Sequence, residues 1–186
     1  MLQATACSIF KGIFRGKKML SYILSLLGLG CNIAASLIKG KRMRMILILV
    51  CVGNALVATS YVIDGSLNGA ISCYLGAVVT LINAVFEKKE KDVPIWLMGI
   101  YAAAFIFCNV IAGFSWVSLP AIIATLAFVA CIGQKNGAGY RFFVCINSVC
   151  WCLYDVLSAS YAGLITHLSL FLFTVVGMII HDRKKA

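Results

Sequence analysis

Seven apolar runs, at residues 20–38, 45–63, 66–86, 94–112, 116–133, 142–158 and 162–180, are separated by short gaps. From Lys39 onward every lysine and arginine falls in every second gap or after the last run. The first gap holds Lys39, Lys41, Arg42 and Arg44, the third Lys88, Lys89 and Lys91, the fifth Lys135 and Arg141, and the C-terminal tail Arg183, Lys184 and Lys185. The gaps at Asp64, at Gly113 to Trp116 and at Asp155 to Ser160 hold none. Each run is near the ~20 residues with which a helix crosses the hydrocarbon of a bilayer. Short cation-rich loops stay on the cytoplasmic side. The pattern therefore predicts an all-α polytopic membrane protein with seven transmembrane helices, its odd gaps and C-terminus cytoplasmic and its N-terminus outside.

Composition agrees that lipid is the solvent. Of 186 residues, 62% are hydrophobic and only 12% charged, too apolar a balance for a water-soluble core of this size to hide. The net charge of +10 sits in loops beside helix ends rather than on a basic face interleaved with aromatics, so no nucleic-acid partner is expected. Loops of this sign attract anionic lipid headgroups. Eight of the nine cysteines, Cys7 being the exception, lie inside apolar runs and read as small buried hydrophobes. Cys150 and Cys152 point to different faces of one helix, and with two histidines in the chain neither a metal site nor a cofactor is expected.

Residues 1–18 break the charge pattern, because Lys11, Arg15, Lys17 and Lys18 make this tail as basic as the loop after the first run. Three readings are open. The tail is a secretory n-region, with Gly30-Cys31 as a poor lipoprotein-type cleavage site; or Ile9, Phe10, Ile13 and Phe14 set against Lys11, Arg15 and Lys18 form a surface-lying amphipathic segment; or translation begins at Met19. The third removes the conflict with orientation at no structural cost.

Sliding the chain over itself by 94 residues aligns Ser21 with Ser115, Lys41 with Lys135, Val50 with Val144, Cys51 with Cys145, Gly69 with Gly163, Thr80 with Thr174 and Lys91 with Lys185. Loop charge and run length repeat in the same order. The expected organisation is a first three-helix bundle at 19–92, a linker helix at 93–113, and a second three-helix bundle with a basic cytoplasmic tail at 114–186. A single linking span gives both halves the same orientation, a parallel repeat.

Leu119-Pro120 opens the fifth run and Arg141 the sixth; Asn147, Trp151, Tyr154, Asp155, Ser158, Gly163 and His167 follow. From about Ser21 to Lys185 this pattern resembles the YgjV-type bacterial inner-membrane proteins. That resemblance implies a bacterial plasma-membrane location. The family is in turn distantly similar to SWEET and PQ-loop transporters, whose triple-helix bundles pair around a solute path, which implies a fold more than an activity. Family members often carry a carboxylate in the seventh span. This chain has His167 there, a departure that puts carboxylate-based proton coupling in doubt.

Polar groups at membrane depth are the candidate site. Asn147, Trp151, Tyr154 and Ser158 recur at steps of four, three and four on one face of the sixth helix, and Asn54 and Tyr61 repeat the seven-residue step in the second. Either these line a midplane solute site, or the amides are packing glue and the aromatics an interfacial belt. Asp155, near the outer end of the sixth helix, and His167, about one and a half turns into the seventh, can meet if the two helices are antiparallel neighbours; an Asp beside a His can hold a proton. Against this, Asp155 can reach headgroup water and His167 can cap a packing contact. Asn32, Asn83 and Asn109 are weaker candidates, open to the same packing reading. Small residues such as Gly28, Gly65, Gly69 and Gly76 suit close helix packing within a monomer or a homodimer.

Two functions follow as expectations: transporter or facilitator of a small polar solute, or a non-transporting scaffold or accessory subunit. An enzyme is not expected, since the spans hold no paired aspartate motif, no His-Glu zinc motif and no Ser-His arrangement.

Overall fold

The computed structural model of the protein describes residues 2–39, 41–64, 67–111, 115–158 and 161–182; at 2–17, 64, 67–69 and 161–162 only the backbone is described. Among the described residues there are seven α-helices: α1 (Leu2–Leu37), α2 (Met43–Asp64), α3 (Leu67–Lys88), α4 (Ile95–Ile111), α5 (Leu119–Ile132), α6 (Gly137–Leu157) and α7 (Tyr161–His181). Among the described residues there is no strand. Lys18–Leu37, Met43–Ile63, Ala70–Lys88, Gly137–Leu157 and Gly163–His181 are long and apolar enough to cross a membrane. Ile95–Ile111 and the stretch Trp116–Ile132, which joins a 3₁₀ turn to α5, are shorter apolar helices.

Local chemistry explains most of the helix ends. The carbonyl of Pro94 accepts from the amides of Leu97 and Met98 in the first turn of α4, a position where its missing N–H is harmless. Pro120 lies in the first turn of α5, so it opens that helix and makes no kink. Asn136 caps α6, its side chain accepting from the Gly139 amide at 2.7 Å. That cap starts α6 five residues before the apolar run at 142, so Arg141 is a helix residue and not the loop cation expected from the sequence. After α3 the Lys91 amide donates to Phe86 O and the Glu90 amide to Glu87 O, a Schellman closure that holds Glu90 at φ 54°. At the other extreme, α1 is continuous over 36 residues, running without a break through what the sequence divides into tail and span.

Each helix packs chiefly on its neighbours in the chain, and α7 returns to α1, so the seven close a ring in sequence order. The most extensive contacts are α1 with α2, α2 with α3, α5 with α6 and α6 with α7; α3–α4, α4–α5 and α1–α7 are thinner seams. Glycines let two of these contacts become close. A Cβ on Gly28 would lie 2.8 Å from Gly53 O between α1 and α2, and one on Gly177 would lie 2.5 Å from Ser36 O between α7 and α1.

Consecutive helices alternate in direction. The C-terminal ends of α1, α3, α5 and α7 thus share one end of the ring with the cation-bearing loops, here the basic end. Large buried side chains concentrate toward it: Met43, Ile46, Leu47 and Val50 from α2, Val79 from α3, Ile132 from α5, and Tyr140 and Val144 from α6. The opposite, far end buries small or polar groups instead, among them Ser21, Ala58, Ser60, Ala70, Ala121 and Asp155. Outward faces carry exposed apolar side chains such as Phe107, Ile111, Ile165 and Leu172, a surface that requires lipid.

The burial pattern itself recurs at the 94-residue interval. Met43, Ile46, Leu47 and Val50 are buried in α2, and so are Gly137, Tyr140, Arg141 and Val144 in α6. Thr80 and Thr174 are both fully buried, and each donates to the carbonyl four residues earlier at 2.7 Å.

Candidate functional site

At the far end, α6 and α7 bring Asp155 and His167 together. His167 Nδ1 lies 2.7 Å from Asp155 Oδ2, the carboxylate side chain being 5% exposed and the imidazole 23%. The imidazole also stacks on Trp151, with centroids 5.3 Å apart and planes 12° apart, and Trp151 meets the Tyr154 ring edge-on at 5.5 Å. Steps of four along α6 and twelve residues around the α6–α7 turn therefore place a carboxylate, an imidazole and two aromatic rings in one cluster. A carboxylate at one ring nitrogen fixes the orientation of the imidazole and leaves its other nitrogen to face a ligand.

The other expected residues are spread more widely. Asn147 uses its amide N–H on Ala124 O at 2.7 Å, tying α6 to α5. Ser158 bonds the Tyr154 carbonyl of its own helix. Asn54 faces α3, where its amide nitrogen would stand 3.1 Å from a Cβ on Gly76. Tyr61 is exposed near the far end of α2. Because α2 and α6 form no substantial contact, the structure does not bring Asn54 and Tyr61 against Asn147 and Tyr154. Of the weaker candidates, Asn83 donates to Ile132 O at 2.9 Å and accepts from the Tyr101 hydroxyl at 3.2 Å, joining α3, α4 and α5; Asn109 donates to Phe105 O within its own helix; Asn32 lies against Gly53.

A second polar cluster sits at the basic end. Arg141 is 1% exposed and donates through Nε to Asp182 Oδ2 at 3.0 Å, through Nη2 to Asp182 Oδ1 at 2.5 Å and through Nη1 to Ile38 O at 3.0 Å. His181 Nε2 lies 2.8 Å from Leu37 O. Together they cap the carbonyls at the C-terminal end of α1. Between the two clusters Thr174 Oγ1 lies 3.0 Å from Ser36 Oγ. Arg141, Ser148 and Asp155 are spaced by seven on α6, and His167, Thr174 and His181 by seven on α7, so one polar seam runs the length of this helix pair. Among the described residues Ser148 is fully buried with a hydroxyl that has no partner.

A family model for bacterial inner membrane proteins of the YgjV type matches residues 19–185. The chain belongs to that family. YgjV-type membership makes it a multi-pass inner membrane protein, in keeping with its long apolar helices. Residues 1–18 lie outside the match. No curated relative and no solved structure matches the chain.

This YgjV-family chain also holds a cavity of about 270 Å³ on the α3–α5 side of the basic end, lined by Asn83, Glu87, Lys91, Asp92, Gln134 and Lys135 among others. Lys135 Nζ and Asp92 Oδ1 bridge it at 2.6 Å, both exposed. Glu90, with its left-handed backbone, sits at the rim. Sequence reasoning missed the partnership of Arg141 with Asp182 and the seam hydroxyls Ser36, Ser148 and Thr174. The seven-residue spacing was the available signal for the seam; nothing local marks Asp182 as the carboxylate that reaches back 41 residues to Arg141.

Proposed function

We propose that the protein is a transporter or facilitator of a small polar solute, oriented with its basic end and C-terminus in the cytoplasm. The observation that carries this reading is the Asp155–His167 pair stacked on Trp151 in spanning helices. Ionisable side chains within spanning helices are functional candidates by default, and an acid and a base paired on adjacent helices support that reading here. A carboxylate beside aromatic faces suits a hydroxylated or cationic group on the solute.

Two further observations support it. The repeated burial pattern of α2 and α6, with Thr80 matched to Thr174, favours two parallel three-helix halves, α1–α3 and α5–α7, with α4 as linker, the arrangement implied by the resemblance to SWEET and PQ-loop transporters. In this reading all seven helices span, the 17-residue α4 covering about 25 Å. The cavity at the α3–α5 seam, lined from both halves by polar groups of both signs, gives the solute a mouth on the cytoplasmic side.

The test is a thermal-shift screen of the detergent-solubilised protein against polar metabolites. A ligand at a hundred times its Kd stabilises the folded state by about 2.7 kcal/mol, whatever its chemical identity. The expected result is a ligand whose shift is lost in Asp155→Asn and in His167→Ala but kept in Asn109→Ala, whose side chain donates to Phe105 O of its own helix. Hits indifferent to both substitutions would remove the site from the reading. A stable preparation that binds nothing would favour the accessory-subunit function instead.

A further inference from the structure

The cavity between the C-terminal ends of α3 and α5 holds more hydrogen-bond acceptors than the protein itself uses. The two helices make no substantial direct contact, and the gap between them is bridged by Asn83 to Ile132 O at its inner wall and by Lys135 to Asp92 at its rim. Its volume of about 270 Å³ lies just under the ~300–1,000 Å³ of sites for drug-sized ligands, so an occupant is small.

The polar lining is unevenly engaged. Asn83, 1% exposed, donates to Ile132 O and accepts from the Tyr101 hydroxyl, and Lys135 is held by Asp92. Gln134 donates from Nε2 to Ala130 O, which leaves its Oε1 an acceptor with no donor among the described residues. Glu87 is half-buried, and among the described residues its carboxylate has neither a hydrogen bond nor an ion pair. In a longer helix Lys91, four residues on, would face Glu87 and pair with it. The Schellman turn at Glu90 ends α3 first and carries Lys91 off that face, so the pair does not form.

The balance of charge is negative. With Lys135 and Asp92 set against each other, Glu87 and Glu90 meet Lys91 alone, while Lys88 and Lys89 lie outside the lining. Both α3 and α5 end here, and each adds the negative end of its dipole. A ligand that brings N–H donors and a positive charge completes this arrangement. Among the described residues no three carboxylates, histidines or cysteines stand close enough to share a metal ion, which favours an organic cation.

We propose that the α3–α5 cavity is a binding site for a small primary ammonium compound, which donates its N–H groups to Glu87 and to Gln134 Oε1. The site is separate from the Asp155–His167 cluster at the far end, and it stands whether the chain moves a solute or serves as an accessory subunit.

The experiment titrates ethanolamine or tetramethylammonium into the full chain in an uncharged detergent and reads the heat of binding. Ethanolamine is expected to bind, and tetramethylammonium, which has the charge but no N–H, at least about tenfold more weakly. Glu87→Gln keeps the volume, removes the charge and should weaken ethanolamine binding about tenfold or more. Lys88→Gln, at the same helix end but outside the lining, and Asp155→Asn, at the far end, should each leave it within about twofold, since screened charges at a distance contribute little. If Glu87→Gln does not fold, Gln134→Ala removes the second acceptor and should cost about fivefold. Three results would each overturn the site: a folded parent that takes up no ethanolamine at millimolar concentration, equal binding of tetramethylammonium, or an affinity indifferent to Glu87→Gln. Loss of binding in Asp155→Asn alone would move ammonium recognition to the far end and overturn it equally.

Discussion

Replacing Asp182 by Leu isolates the energy of the Arg141 cluster. The guanidinium is 1% exposed and gives two N–H groups to the carboxylate and one to Ile38 O, so the variant leaves a buried cation with a single neutral partner. Breaking a buried pair from one side is destabilising by about 3–5 kcal/mol. Asp182 is 22% exposed, so water can partly replace it, and the lower end, about 3 kcal/mol, applies. For a chain of this size that is a fall of about 6–12 °C in Tm. The double variant Arg141→Met with Asp182→Leu removes both charges at similar volume; what remains is the lost donor to Ile38 O, about 1 kcal/mol. The double should therefore be more stable than Asp182→Leu alone, with a coupling of at least about 2 kcal/mol. Unfolding in mixed micelles, followed by circular dichroism, supplies the four corners of the cycle. A cost below about 1 kcal/mol for Asp182→Leu, or simple addition in the double variant, would refute the assignment of this pair as a buried clasp.

Three further outcomes follow from the packing. Gly177→Ala should lower stability by about 1–3 kcal/mol, because its Cβ would meet Ser36 O, whereas Gly99→Ala, with nothing within 4 Å, should be neutral or stabilising by up to about 1 kcal/mol; paired melting curves check the contrast. Asn83→Ala should cost about 2–4 kcal/mol by stranding Ile132 O and the Tyr101 hydroxyl, against about 1 kcal/mol for Asn147→Ala, which loses one bond; denaturant midpoints decide between them. Glu90→Gly should stabilise by about 1 kcal/mol, relieving a side chain held at positive φ, and no change in midpoint would deny the strain.

Much of the fold was legible because the sequence marks helix ends chemically. Pro94 and Pro120 sit where their missing N–H groups do no harm, and the runs between charged gaps became helices. Arg141 was misplaced because a cation next to an apolar run reads as loop, and only the fold shows that Asn136 caps the helix earlier and Asp182 neutralises the charge. The contact between Asp155 and His167 was readable from their distances to a short turn between antiparallel helices. The spread of Asn54 and Asn147 was not, since a polar residue at helical spacing has a face but no address until the neighbouring helix is known. Ser36 and Thr174 gave little contrast because hydroxyls satisfy themselves on their own backbone as easily as across a seam.

Closure of the ring through α1 and α7 also fixes an order of events during synthesis. The α1 face that receives Gly177, and the carbonyls that receive His181 and Arg141, come first in the chain, whereas Arg141 follows with α6 and Gly177 and His181 only with α7. Until Asp182 emerges, Arg141, near the start of α6, lacks its carboxylate and has only Ile38 O to donate to. A chain interrupted before that point leaves the α1–α7 seam open and Arg141 without its carboxylate, so the ring closes only when synthesis of the last helix is complete.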